Sequence, residues 1–165
     1  MLVLTILSGC SSVKKPIAQI SFLGIHKVEQ QYQIEFKSNI DLDLLYSETD
    51  GEKVVSRRLV CSLGDDVNLS VGLSLEEFFR GNVGVASIDL NSQGTAFRYQ
   101  SVGNFYVSRD QGASKQVIND AELIRVLGLR ATIPCRVSMT IYLEKPYYSS
   151  TMQIPTASIA AEANR

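Results

Sequence analysis

The chain has 165 residues, enough for one domain of ordinary size and too few for two. Charged residues make up 20% and hydrophobic ones 45%, with 4 Pro and 11 Gly, which excludes a disordered tail protein, a collagen-like chain and a low-complexity scaffold. Sixteen Lys+Arg against seventeen Asp+Glu leave a net charge of -1, so no strong field exists to gather nucleic acid.

The first element is an apolar run from Leu2 to Leu7. It is far shorter than the roughly 18 to 20 residues that cross a bilayer, and it fits the apolar segment of an export signal. Leu7-Ser8-Gly9-Cys10 follows: a Leu, two small residues and a Cys. This tetrapeptide resembles the lipobox of bacterial lipoproteins, whose Cys is acylated and becomes the mature N-terminus. The resemblance implies a signal peptide over 1–9 and a palmitate-bearing Cys10. No basic segment precedes Leu2, which implies a start placed too far downstream. Ser11 after the Cys implies the inner leaflet of the outer membrane, with the protein facing the periplasm. The competing expectation is a cytosolic protein whose apolar N-terminus is a first buried strand.

A lipidated leader is expected over 10–16. From Ser11 to Pro16 it reaches at most about 20 Å, which keeps the folded body near the lipid and brings Lys14 and Lys15 to the head groups. Two or more acyl chains hold stably where one holds marginally. With Cys10 acylated, Cys61 and Cys135 remain as an even pair in an oxidising compartment. A Cys61–Cys135 disulfide is expected, closing a loop of roughly 74 residues and adding on the order of 4 kcal/mol in the chain-entropy model. Two buried free thiols are the alternative.

From Ile20 onward the pattern alternates with period two, the mark of strands with one buried face. Ile20 and Phe22 open it. Tyr32, Ile34 and Phe36 share one face opposite Gln31, Gln33, Glu35 and Lys37, and the even set resumes at Ile40, Leu42 and Leu44. Asp50-Gly51 and Gly64-Asp65-Asp66 are turn signals around a strand carrying Val55, Leu59, Cys61 and Leu63. Val67, Leu69, Val71 and Leu73 alternate with polar residues, Val83 to Leu90 is another apolar stretch, and Phe97–Tyr99 and Phe105–Val107 suggest two short strands around Gly103. Cys135, Val137, Met139, Ile141 and Leu143 form a further alternating set, and Thr151 to Ile154 a last strand.

Two segments carry helix grammar. Ser74-Leu-Glu-Glu77, with Phe78-Phe79-Arg80-Gly81 after it, and Asn119-Asp-Ala-Glu122, with Gly128 as a stop, both have the form of a capped short helix. Ser108 to Lys115 is the best candidate for a mobile loop, and 157–165 is expected to be a flexible tail. About eight strands and two short helices predict a mainly β domain over 17–156. A β-sandwich, immunoglobulin-like in the broad sense, is expected, with a closed barrel as the competing architecture.

His26, the single His, falls in an expected strand or hairpin, where a surface or hydrogen-bonded structural role is expected rather than a catalytic one. No G-x-S-x-G, H-E-x-x-H, P-loop or G-x-G-x-x-G occurs. Asp41-x-Asp43 and Asp65-Asp66 offer carboxylates but fall short of the six to eight oxygens that calcium needs. Arg57-Arg58 is the densest basic spot of the folded region, and in a strand the two side chains point to opposite faces. No metal, cofactor, nucleic-acid partner or enzymatic activity is expected. Tyr142, Tyr147 and Tyr148 stand out as partner contacts, because tyrosine buries large area and keeps a polar tip; their alternative role is to cover a sheet edge. Phe78-Phe79 is expected in the core.

The lipobox-plus-sandwich layout is similar to that of outer-membrane lipoproteins of envelope secretion assemblies, such as the type VI secretion lipoprotein. Tyr32 to Leu45 resembles late-embryogenesis-abundant (water-hypersensitivity) domains, with Ser38-Asn39-Ile40 where that family carries Asn-Pro. Neither resemblance supplies functional residues. The expected function is a lipid-anchored, non-catalytic structural or protein-binding module of the envelope, attached to membrane lipid through Cys10 and to another envelope protein. A carrier of a small apolar ligand between the sheets is the second expectation, and an envelope hydrolase the third.

Overall fold

The computed structural model describes residues 15–46, 53–64, 68–70, 75–84, 87–91, 94–109, 114–128 and 130–165. Among them ten strands and two helices follow in chain order: β1 (Ile20–Val28), β2 (Gln31–Ser38), β3 (Val54–Ser62), β4 (Glu77–Val83), β5 (Ser87–Asn91), β6 (Gly94–Arg109), β7 (Ser114–Val117), α1 (Asp120–Leu127), β8 (Thr132–Ile141), β9 (Tyr147–Tyr148), β10 (Met152–Pro155) and α2 (Thr156–Ala163). The mainly β class with two short helices is what the alternation predicts. No described helix is long and apolar enough to cross a membrane.

The layering differs from two stacked sheets. All the described strands join one antiparallel sheet in the order β1-β2-β6-β4-β3-β8-β10, with β5 and β7 also on β6 and β9 on β8. The path curls until its ends meet: Ser150 N–H donates to the Ala18 carbonyl at 2.8 Å, and Ile20 N–H to Ser150 Oγ at 3.1 Å. This single wrapped sheet is nearer to the barrel than to the sandwich. Its inward face carries Ile34, Phe36, Leu59, Phe79, Phe105, Val137, Met139 and Ile154, gathered in one core. Period-two alternation cannot separate these two architectures, because both bury one face of each strand.

The strand directions define two ends. One end holds the chain entry before β1, the loop from 39 to 46, the start of β3 and the turn after β8. The other holds the β1–β2 hairpin, the end of β6, α1 and α2. The first end is called the entry end and the second the helical end. On the helical end α1 follows the capping logic of its sequence, with Asn119 Oδ1 accepting from Glu122 N at 2.9 Å and Gly128 stopping it at φ 54°.

Several local expectations are corrected, among them the loop expected at 108–115, where Ser108 and Arg109 pair with Lys115 and Ser114 as β6 and β7. The capping-box segment continues as β4 from Glu77, and Ser74 lies outside the described residues. Sheet pairing on both sides wins over the cap, with β4 bonded to β3 and β6. Phe79 enters the main core and Phe78 lies on the opposite face, buried with Val60, Leu69 and Leu75 in a second apolar cluster, so both are core as expected. The expected tail instead forms α2, whose buried Ile159 and Ala163 pack on the core, while buried Glu162 accepts from Lys27 N–H at 3.0 Å. Phe97 to Val107 is continuous within β6. Ile40 to Leu44 is a turn in which Leu42 is buried and Leu44 exposed. Of the alternating set at 67–73, residues 68–70 are not strand and the others lie outside the described residues, as does Asp50-Gly51.

Gly103 explains the tight pairing of β4 with β6. It lies opposite Gly81, and a Cβ on it would collide with the Arg80 carbonyl and the Gly81 Cα. Only a pair without side chains permits this approach.

Candidate functional site

Cys10 and the rest of 1–14 lie outside the described residues. The chain that follows is held firmly. Tyr147 accepts from Ala18 N–H at 2.7 Å and donates to the Pro16 carbonyl at 3.0 Å, so one hydroxyl grips the chain on both sides of Ile17. Its ring meets Tyr46 edge-on at 5.9 Å, and the Lys15 ammonium lies 5.1 Å from the centre of the Tyr46 ring. Burial pushes the Tyr147 phenol above its ordinary pKa.

The three tyrosines therefore do not form one surface. Tyr147 is 7% exposed and structural, correcting its expected exposure, because its register opposite Met139 turns it into the core. Tyr148, opposite Ser138, takes the outer face, with the Arg136 guanidinium 4.1 Å from its ring centre. Tyr142 is 60% exposed in the turn after β8. Cys61 and Cys135 are bridged, joining register partners on β3 and β8 in the buried core.

Asp43 pairs with Arg57, and Asp41 accepts from the Tyr99 hydroxyl at 3.0 Å and from Asp43 N at 2.8 Å. These carboxylates bind the 41–46 turn to the barrel, and no cluster of three metal-ligating side chains exists among the described residues. His26 is exposed on β1, opposite Gln33.

A basic face that no local pattern marks surrounds Phe78. Arg57 and Arg58 take opposite faces of β3 by alternation, and Arg58 lies close enough to Arg80 of β4 and Lys115 of β7 for its charge to act on both. The Arg80 guanidinium lies 5.3 Å and the Lys115 ammonium 5.6 Å from the centre of the Phe78 ring, which stacks on Tyr106 at 5.5 Å. Burial lowers the Arg80 pKa, and Arg58 lowers it further; burial, Arg80 and Arg58 lower that of Lys115. Among the described residues no carboxylate pairs with any of the three, and Arg80 Nε is buried without a partner. Beside this face Arg136 holds the 68–70 segment through the Leu69 carbonyl and Ser70 Oγ, both at 3.1 Å. No local signal links positions 58, 80 and 115, which only the strand order brings together.

At the helical end a cleft of about 290 Å³ opens between the β1–β2 hairpin, β6 and the start of α1. Its polar wall is one connected set: Tyr32 donates to Asp120 at 2.6 Å, and the Lys27 ammonium pairs with the same carboxylate. The hydrogen bonds from Lys27 and Tyr32 hold the Asp120 pKa below the usual carboxylate range, while burial and the Asp120 charge raise that of Tyr32. The three groups satisfy one another, tying the first turn of α1 to the hairpin. Phe105, Val117 and Ile118 supply the apolar part of its lining.

No protein-family model, curated protein or solved structure matches this chain.

Proposed function

We propose that the protein is a lipid-anchored envelope lipoprotein acting as a non-catalytic structural or protein-binding module. Acylated Cys10 holds it in the inner leaflet of the outer membrane, facing the periplasm. The observation that carries this reading is the Tyr147 grip on Pro16 and Ala18, which fixes where the chain bearing the lipobox-like Leu7-Ser8-Gly9-Cys10 leaves the barrel. A tether fixed at its root transmits position from the bilayer to the body. The Cys61–Cys135 bridge suits an oxidising compartment.

The basic face supports the binding role. Arginine is enriched where proteins meet, and Arg58, Arg80 and Lys115, which pair with no carboxylate among the described residues, favour an acidic partner surface. The test combines two measurements. Palmitate labelling is expected for the wild type and lost in Cys10→Ala; an unlabelled wild type overturns the anchor. Crosslinked capture from membranes is expected to return a partner that Arg58→Glu releases. Capture indifferent to Arg58→Glu removes the assignment of this face.

A further inference from the structure

The exposed apolar side chains of the barrel are distributed unevenly. The five most exposed large ones among the described residues are Leu143 at 88%, Leu44 at 78%, Val55 and Tyr142 at 60% each and Ile17 at 57%. All five belong to the entry end: Ile17 on the entering chain, Leu44 in the 41–46 turn, Val55 at the start of β3, and Tyr142 and Leu143 in the turn after β8. Local bonds bring these segments together. Val54 lies opposite Ile141, Tyr142 N–H donates to the Lys53 carbonyl at 2.9 Å, Asp43 is paired to Arg57, and Tyr46 and Tyr147 join the turn to the entering chain.

None of the five is needed by the core. The same turn buries Leu42 and Leu45 and leaves Leu44 pointing out, and Leu143 is held at φ 58°, a left-handed conformation uncommon for leucine. Water gains nothing from such a cluster, and a lipid surface does.

We propose that this entry end is a lipid-inserting tip, seated in the boundary between head groups and acyl chains of the bilayer that holds the anchor. The inference rests on the anchor proposed above and adds which surface of the barrel meets the lipid. The length of chain outside the described residues argues for a bilayer as the occupant. Cys10 precedes Lys15 by five residues, a span of at most about 18 Å, and Lys15 lies at this same end. An acylated Cys10 therefore brings the tip to the lipid and leaves the helical end furthest from it. Exposed Lys53 and Lys145 flank Tyr142 and Leu143, where their stems can lie along lipid and their ammonium groups reach the head groups; exposed Glu144 offsets part of that charge, so apolar burial is the main attraction. Tyrosine is a residue of membrane interfaces for the same reason.

The chain has no Trp, so a single introduced indole reports one place. Leu44→Trp and Tyr142→Trp probe the tip at two separate segments, and Val28→Trp, 49% exposed at the opposite end, is the control. Each acylated full-length variant is reconstituted into phosphatidylcholine vesicles and floated on a density gradient, and its fluorescence is compared with and without brominated acyl chains. Quenching of about twofold or more is expected at Leu44→Trp and Tyr142→Trp, with a blue-shifted emission, and little at Val28→Trp. Flotation with unquenched tip probes, or with equal quenching at both ends, overturns the tip and leaves the anchor standing. Absence of flotation overturns both.

Discussion

The two ends of the barrel differ in how they use their leucines, although Val28 and Val117 are also exposed at the helical end. At the helical end Leu123, Leu127 and Ile159 are turned inward by two short helices that close the sheet over its core. At the entry end Leu44, Tyr142 and Leu143 face out, although the same segments carry buried Leu42, Leu45 and Ile141. Composition alone does not separate a residue that holds the fold from one offered to the surroundings. Position relative to the closing elements does.

The largest effect expected from this contrast is between two leucines. Leu123→Ala, at a site 1% exposed, is expected to cost about 2 to 5 kcal/mol, whereas Leu143→Ala stays within about 0.5 kcal/mol, both read by urea unfolding. Equal losses would erase the distinction between the ends. Replacing Cys61 and Cys135 together by Ala is expected to cost about 2 to 5 kcal/mol, with a matching fall in the wild-type urea midpoint under reducing agent.

At the entry end, Tyr147→Phe keeps the ring and removes the hydroxyl. It leaves the Ala18 N–H and the Pro16 carbonyl without their partner, and a loss of about 1 to 3 kcal/mol is expected, with faster proteolysis before Ile20 and unchanged cleavage near α2. Uniformly faster cleavage would show that the grip is not local.

The smallest effect belongs to the helical end. The Asp120 pKa is lowered in the folded state, so its stabilisation is present above the unfolded value of about 4 and is lost as pH falls through the folded value. The carboxylate is 39% exposed, which keeps the effect small. The difference in Tm between wild type and Asp120→Asn should therefore be present at pH 7 and shrink towards zero as pH falls below about 4. A difference constant with pH would mean that the carboxylate charge is not what holds α1 to the hairpin.

How much of this was legible beforehand depends on the range of the interaction. Alternation identified the inward face of β2 and β8, and the Asn119 cap and Gly128 stop identified α1, because each signal lies within one element. Ser74-x-x-Glu77 misled because a local cap was outweighed by bonding to β3 and β6, strands distant in the chain. The grip of Tyr147 on Pro16 spans 131 positions, and the meeting of Arg58, Arg80 and Lys115 depends on strand order, so neither leaves a local trace. The tail expected over 157–165 failed differently: its small, weakly apolar residues look unstructured until buried Glu162 finds the Lys27 amide on β1.

The strand order has one more consequence. β2 lies beside β6 and β3 beside β8, so the neighbours that complete the sheet are made long after the strands they join. Until residues 152–155 are free to add β10, the wrapped sheet stays unfinished, and with non-local pairing folding is slow. Closure of the whole sheet thus waits on the last strand that the chain supplies.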